Sequence, residues 1–598
     1  TSGDYNTMIG DSAGTTLSSG HYNVIIGHDA GKVLRSGSDN VLIGDEAGVS
    51  LTTGSDNVFI GRWTGRYVTS ATDNTVVGSQ AGQNLSTGFD NTMMGDEAGK
   101  NLTTGDDNTF IGEDAGYNAT TADDNTALGS AALHDATTGY RNTAIGNQAL
   151  YDVEEGYKNT GLGDSAGVDI GSGYCNTMLG QASGANTEHA DHNTFVGYYA
   201  GWDNNRTNNT NDANRNTYLG SKTGSVNRQG EDNTGMGAFA DFNGTIRNRC
   251  TFIGAYSDAD DNDVVCLGYD TRGQNDYAIA IGNYSRAVNT GSMSMGYIAY
   301  VAGNQSIGIG RQCSITVSNS VALGYLANIA GTHSVAIGDL VDVDGTYNVS
   351  IGADSRVGTG DYSTAIGYQA SIDSNNATAV GAYATVTANN ATALGYQASV
   401  STDNEIYIGN SSIASIGGIV NWTAASDGRF KSNVEENVPG LEFLNLLRPV
   451  TYNFHGDQVN TFYGKENTDD LADAQAQKSQ VRYTGFIAQE VAQAADSLGY
   501  EFSGVKRPEN PSTDIYGLRY AEFVPSLVMA AQQLDARVKQ LEAEKATLNA
   551  QVDGQQATIQ EQTAQLEQYQ RMLLDLSRRM ELLEAKTTGT NASTTAQK

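Results

Sequence analysis

A short apolar block followed by glycine, as in NTMIG, NVIIG, NVLIG and NVFIG, recurs along most of the chain at a fixed step. Aligned on that glycine, the step is seventeen from Gly10 through Gly27, Gly44 and Gly61 to Gly197. After a longer step to Gly220, the seventeen-residue spacing returns for Gly237 and Gly254. The period then shortens to fourteen through Gly268, Gly282, Gly296 and Gly310 to Gly352, slips by one at Gly367, and resumes to Gly409. Each period is too short for a helical hairpin and carries one β-prone segment, so it predicts one coil of a β-solenoid. Stacked at about 4.8 Å, roughly 26 coils would give a rod on the order of 120 Å long.

Alternation along a strand assigns each position a face. The residue before the glycine (Ile9, Ile26, Ile43, Ile60) and the third before it (Thr7, Val24, Val41, Val58) share one side and are expected to fill the coil's own core. The residue between them (Met8, Ile25, Leu42, Phe59) is also apolar, which leaves a second greasy face needing a partner. The same strand from identical chains around a three-fold axis would supply it. In the fourteen-residue repeats this position shrinks to Ala280, Ser294, Gly308, Ala322 and Ala336, predicting closer approach of the chains. Asparagine four residues before the glycine (Asn6, Asn23, Asn40, Asn57) reads as a corner, left-handed and bonded along the stack, rather than a calcium or sugar ladder.

Composition supports an unbroken ladder. Of 598 residues 71 are glycine and only 5 are proline, all five from Pro439 onward, as expected where every coil must donate its N–H groups to the next. The formal net charge of −34 argues against a nucleic-acid partner, which needs a basic face. No apolar run has the length of a membrane-spanning helix, so membrane insertion is not expected. Cys175, Cys250, Cys266 and Cys313 are isolated, and His21, His134 and His333 show no ligand spacing, so neither metal nor cofactor is expected.

Beyond the last repeat the character changes. FLNLLRPVTYNF reads as an apolar stretch leading to a strand, while TGFIAQEVAQAADSLG and YGLRYAEFVPSLVMAAQQL read as amphipathic helices, together a small α+β domain. The last helix runs into heptads, with Leu534, Leu541, Leu548, Tyr569, Leu576 and Leu583 at one core position and Val538, Val552, Ile559, Leu566, Leu573 and Met580 at the other. Lys545, Gln555 and Gln562 interrupt the seam. A trimeric coiled coil would match the needs of the solenoid.

Two resemblances follow. AIAIGNYSRAVNTGS, SVALGYLANIAGTHSVAIG and ATAVGAYATVTANNATALGYQASV resemble the left-handed parallel β-roll heads of trimeric autotransporter adhesins, with the seventeen-residue part a longer-cornered version. SDGRFKSNV, LRPVTYNF, GFIAQEV and LRYAEFVPSLVMAAQQL resemble the intramolecular chaperone auto-processing domain of phage tail spikes and tail fibres. The second resemblance implies that Ser426 is a nucleophile and Lys431 its general base, cutting between Ala425 and Ser426 after trimerisation. The family commonly has a basic residue at Gly428 and Leu or Ile at Phe430. On a helix, residues five apart would stand about 140° apart, so the segment must turn to bring the pair together.

The expected fold is therefore mostly β: a trimeric left-handed parallel β-roll or solenoid stalk with a C-terminal α+β chaperone domain and coiled coil. The expected divisions are seventeen-residue coils over 1–254, fourteen-residue coils and an exit segment over 255–423, the chaperone domain over 424–533, the coiled coil over 534–586 and a disordered tail over 587–598. The expected role is a homotrimeric receptor-binding fibre of a phage tail that recognises a host-cell surface glycan or protein. The alternative is a bacterial surface adhesin, which would lack the membrane-embedded barrel segment of its class. Thr1 begins inside a repeat, which predicts an attachment region upstream. A glycan-cleaving spike would need paired carboxylates in a groove, and no pair stands out from the corner acids. The one long insertion, at 198–218, offers Tyr198, Tyr199, Trp202 and Tyr218 as candidates for stacking on sugars.

Overall fold

A computed structural model describes residues 3–207, 209–464, 469–512 and 514–584. It divides into two compact units, Thr1–Asn410 and Ser411–Lys598. Positions 587–598, expected to be an unstructured tail, lie outside the described residues.

The first unit is a parallel β-solenoid. Each period contributes one three-residue strand ending before its glycine, from Thr7–Ile9 to Ile406–Ile408, and these strands form a single 26-stranded sheet. Register advances by one whole period per coil, Val24 facing Val41 and Val41 facing Val58. A second sheet of twelve two-residue strands starts at Asp241–Phe242 and follows the shorter coils to Ser399–Val400.

The face assignment drawn from alternation is reversed. The middle residue of the strand is the buried one: Ile25, Leu42, Phe59, Val76, Met93 and Phe110 are fully buried, and the residues on either side are half-buried or exposed. The rest of the coil explains why. Ala30 and Leu34, with Leu51 and Leu85 in later coils, are also fully buried and join the middle residues in one continuous core, which leaves room for one strand side chain per coil. Where that side chain is missing, a neighbour moves in, since a Cβ on Gly161 would stand 2.7 Å from Leu150 Cγ.

The small middle residues of the shorter coils have the same explanation, not closer approach of chains. The second sheet points Val301, Ile315, Ile329 and Val343 into the core, all fully buried. A Cβ on Gly308 would lie 2.5 Å from Val301 Cγ2.

Asparagine holds the coils together from inside. Asn23, Asn40 and Asn57 are fully buried. The Oδ1 of Asn23 accepts from the backbone N–H of Asn40 at 3.0 Å and from its Nδ2 at 3.0 Å, while Asn40 Nδ2 donates onward to Gly54 O at 2.9 Å. The backbone link continues from coil to coil until Cys250 N–H donates to Asn233 Oδ1 at 2.9 Å. Serine then takes over, Ser306 Oγ accepting from Ser320 N–H and Ser320 Oγ from Ser334 N–H, each at 3.2 Å. The left-handed residue of this corner is not the asparagine but the one before it, such as Tyr22, Asp39 and Asp56, each with φ of 58°.

The change of period gathers acids at buried and half-buried positions. Asp241 receives a 2.6 Å hydrogen bond from Ser225 Oγ, and Arg272 Nε donates to Asp260 Oδ2 at 2.6 Å and lies 3.6 Å from Asp258. Burial pushes the Asp241 carboxyl up to about 6, and burial with Asp260 alongside raises Asp258 as well. Burial also lifts Asp169 to about 6. A carboxyl whose value is raised on folding contributes stability in acid that is lost as pH rises through the folded value. Asp232 and Asp263, held below the usual range by Arg215 and Arg249, act in the opposite sense only in more acid solution. The solenoid should therefore melt at a higher temperature near pH 5 than near pH 7.5, read by circular dichroism. A lower melting temperature near pH 5 would contradict this account of the acids.

The second unit is α+β. Helix α1 (Leu441–Leu444) leads to the strand Val450–Asn453, which pairs antiparallel with Arg482–Gly485. Between those strands lie α2 (Gly456–Phe462) and α3 (Asp469–Gln480). Helix α4 (Ala488–Ser497) follows, and α5 runs unbroken for 62 residues over Phe523–Glu584. Phe443, Val491, Ala495, Phe502 and Phe523 form the core. Leu441 N–H donates to Gln533 Oε1 at 2.8 Å, tying the start of α1 to α5. Arg448 holds Glu490 of α4 through two hydrogen bonds, of 2.5 and 3.0 Å.

The boundary between units falls at Asn410/Ser411, one residue beyond the last repeat glycine, Gly409. The exit segment belongs with the second unit, because Lys478 Nζ donates to Ser411 O at 2.6 Å and Ser411 Oγ donates to Asn460 Oδ1 at 2.8 Å.

Candidate functional site

Ser426 and Lys431 flank a single tight turn. Asp427 caps the short 3-10 helix Gly428–Phe430 by accepting from Arg429 N–H at 2.9 Å, and Arg429 folds back onto the same carboxylate at 2.6 Å. That hydrogen bond holds the Asp427 carboxyl below the usual carboxylate range. The turn returns the chain on itself, so Lys431 Nζ donates to Ser426 Oγ at 2.7 Å. A Cβ on Gly428 would have no neighbour within 4 Å.

Both side chains are exposed, and the surrounding stretch is unusually apolar for a surface. Val420 is 83 % exposed, Trp422 87 % and Phe430 84 %, with Ile419 and Val434 similarly open. A serine hydroxyl attacks a carbonyl only when a base takes its proton, and an amine does so only when neutral, which burial promotes. Cover over this apolar stretch would supply that burial.

The insertion candidates separate into two groups. Tyr198, Tyr199 and Trp202 cluster at the surface, with ring centroids 4.4 Å apart for the first pair and 5.8 Å for the second. Tyr218 does not join them. It is the middle residue of its strand, fully buried, stacked 5.2 Å from Phe195 and accepting a 3.1 Å hydrogen bond from Asn227 Nδ2. It cannot meet a ligand, for the same reason that the middle residue fills every other coil. The polar Asn204–Asn216–Asn227 cluster beside it is hidden in the sequence among many corner asparagines.

Among the described residues, no cluster of three or more His, Cys, Asp or Glu side chains is arranged to hold a metal ion, and no helix is long and apolar enough to cross a membrane. The cysteines are unpaired, with burial pushing Cys250 up to about 11 and Cys313 up to about 12.

No curated protein matches the chain. Residues 426–500 match the family described as Chaperone of endosialidase. Its members are intramolecular chaperones known to autoprocess, are trimeric, and are typical of phage tail fibres and endosialidases. The matched segment begins at the Ser426 turn and runs through α4. The chain carries a chaperone-of-endosialidase domain preceded by a long parallel β-solenoid.

Proposed function

We propose that the protein is a homotrimeric receptor-binding fibre of the phage tail-fibre type, whose C-terminal domain directs assembly and then cuts the chain between Ala425 and Ser426. What carries the reading is the turn at the first residue of the family match, where Lys431 Nζ lies 2.7 Å from Ser426 Oγ.

The chemistry balances within the chain. Ser426 Oγ attacks the Ala425 carbonyl carbon, and its proton passes to a neutral Lys431 amine. Collapse expels the Ser426 nitrogen, which takes that proton back, leaving Ala425 esterified to the serine oxygen. Water then hydrolyses the ester, freeing the Ala425 carboxylate and the Ser426 amine and hydroxyl.

Two unpartnered faces support self-association. The outward residues of the strands form an apolar stripe, with Met94, Leu128, Leu162 and Leu394 each 43–44 % exposed. Along α5 heptad residues such as Leu534, Val538, Leu576 and Met580 are more than half exposed. Packing that seam against copies of itself would supply the tertiary contact from which most helical stability in proteins comes. Tyr198, Tyr199 and Trp202 are the surface we assign to receptor contact.

Intact mass and N-terminal sequencing of the purified protein test the cut, and native mass spectrometry tests the assembly. The expected result is a fragment beginning at Ser426 and a particle of three copies. A wild-type chain that stays whole, or stays single, overturns the corresponding half of the proposal.

A further inference from the structure

We propose that the second unit carries a noncovalent latch for the chain upstream of the proposed cut: Lys478, Asn460 and Gly456 close on residues 411–414, so the fragment ending at Ala425 stays docked after cleavage. The inference rests on the cleavage reading for its biological meaning, though the latch itself stands on separate contacts.

Ser411 is gripped at three points. Its carbonyl accepts from Lys478 Nζ at 2.6 Å, its hydroxyl donates to the Asn460 side chain at 2.8 Å, and its backbone passes so close to Gly456 that a Cβ there would stand 2.9 Å from the Ser411 carbonyl oxygen. Gly456 and Asn460 lie on one short helix, α2, and are buried, while Lys478 reaches in from the last turn of α3. Lys478 also lies 4.9 Å from the centre of the Phe454 ring, and burial lowers its pKa, marking an ammonium partly stripped of water. A hydrogen bond from such a group to a carbonyl is among the stronger ones a protein makes.

The following residues continue the contact. Ile413 and Ala414 line a groove of about 210 Å³ with Tyr452, Phe454, Tyr483 and Lys478. Beyond them the chain from Ser415 to Glu436 stands exposed, until Gly440 and Leu441 meet Gln533. The proposed scissile bond thus lies in a loop anchored on both sides to one body. Cutting such a loop removes the covalent link and leaves both anchors in place. Departure of the chaperone domain is then a separate step, governed by the latch.

The test uses two proteins. One is the self-cleaving chain. The other carries Ser426→Ala and a recognition sequence for an added site-specific protease in place of residues 416–421, so that the loop can be opened without the serine. After cutting, each is run by native size exclusion and by denaturing gel. The expected result is two bands on the denaturing gel from one native peak, with Lys478→Met, which keeps the stem on Phe454, releasing the fragments about tenfold faster or more. Circular dichroism and an unchanged cutting rate show that the Lys478→Met protein is folded. Fragments that separate at once with the latch intact, or that stay together equally long in Lys478→Met, overturn the latch. A wild-type chain that never cuts itself counts against the cleavage reading alone, because the protease-opened protein still reads the latch.

Discussion

Ser426→Ala should leave the protein as one full-length band on a denaturing gel, under conditions where the wild type gives a fragment beginning at Ser426. The substitution removes the only atom that can attack the Ala425 carbonyl in the proposed scheme, so cleavage should slow by about a thousandfold or more. Lys431→Met should give the same result by a different route. It keeps the bulk and the exposed position of the side chain and removes the group that takes the serine proton. Cleavage that persists in Ser426→Ala would transfer the chemistry to another residue, whereas persistence in Lys431→Met alone would leave the nucleophile and remove the base. A third variant separates chemistry from assembly: Leu541→Asp, in the exposed heptad seam, should weaken association and delay cleavage while leaving the Ser426 turn intact. Normal cutting by a dissociated Leu541→Asp chain would show that cover from neighbouring copies is not needed.

Gly112→Ala should cripple the solenoid. This glycine holds φ at 141°, outside what an L side chain readily adopts, and a Cβ would meet Gly129 O at 2.2 Å and Gly129 C at 2.5 Å. Those atoms belong to the next coil's backbone and cannot move without breaking its own pairing. The cost should be about 3 kcal/mol or more, from backbone strain and the displaced ladder together. Because each coil contacts only its neighbours, the damage should appear as a new protease-sensitive point near the substitution. Gly554→Ala is the matching control. That residue sits inside α5 with nothing within 4 Å of the added carbon, and alanine there should stabilise the helix by about 1 kcal/mol. Equal proteolysis of the two variants would contradict the packing argument.

The period of the fold is legible in the sequence because one glycine per coil is compulsory, and the eye needs only to count from Gly10 to Gly197. The inside of the coil is harder. Alternation says that Ile25 and its flanking residues Val24 and Ile26 face opposite ways, and nothing in a three-residue strand says which way the coil closes. The signal lies in the flanks. Threonine at the third position before the glycine, as in Thr75, Thr92 and Thr109, marks the side that stays half open. The middle position gives up volume only where another residue, such as Leu150 beside Gly161, replaces it. Tyr218 is misplaced by sequence for the same reason: it stands two before Gly220, at the middle position that alternation turns outward and the coil buries.

The Ser426 turn is legible only through neighbouring blocks of sequence. A serine and a lysine five apart carry little information until Asp427 and Arg429 are seen to fold the intervening residues. Lys478 carries none at all. Its contact with Ser411 spans 67 residues and joins a helix that no apolar periodicity announces to a short segment just past the last repeat.

The asparagine ladder has a consequence for how such a gene can change. Each rung bonds to the equivalent rung one period away, as Asn57 does to Asn40 and Asn74 to Asn57, and to backbone carbonyls of its own corner and the next coil, as Asn57 does to Ser55 O and Ala71 O. Deleting or duplicating one whole seventeen-residue period would bring chemically identical rungs face to face and re-form every bond. Recombination between its own repeats could therefore lengthen or shorten the stack in single-coil steps without creating a new packing problem. The coils that resist are those whose side chains compensate across a boundary, such as Leu150 with Gly161, and the junction at Cys250 where asparagine gives way. Length variants arising by natural slippage should accordingly have their endpoints away from those two places.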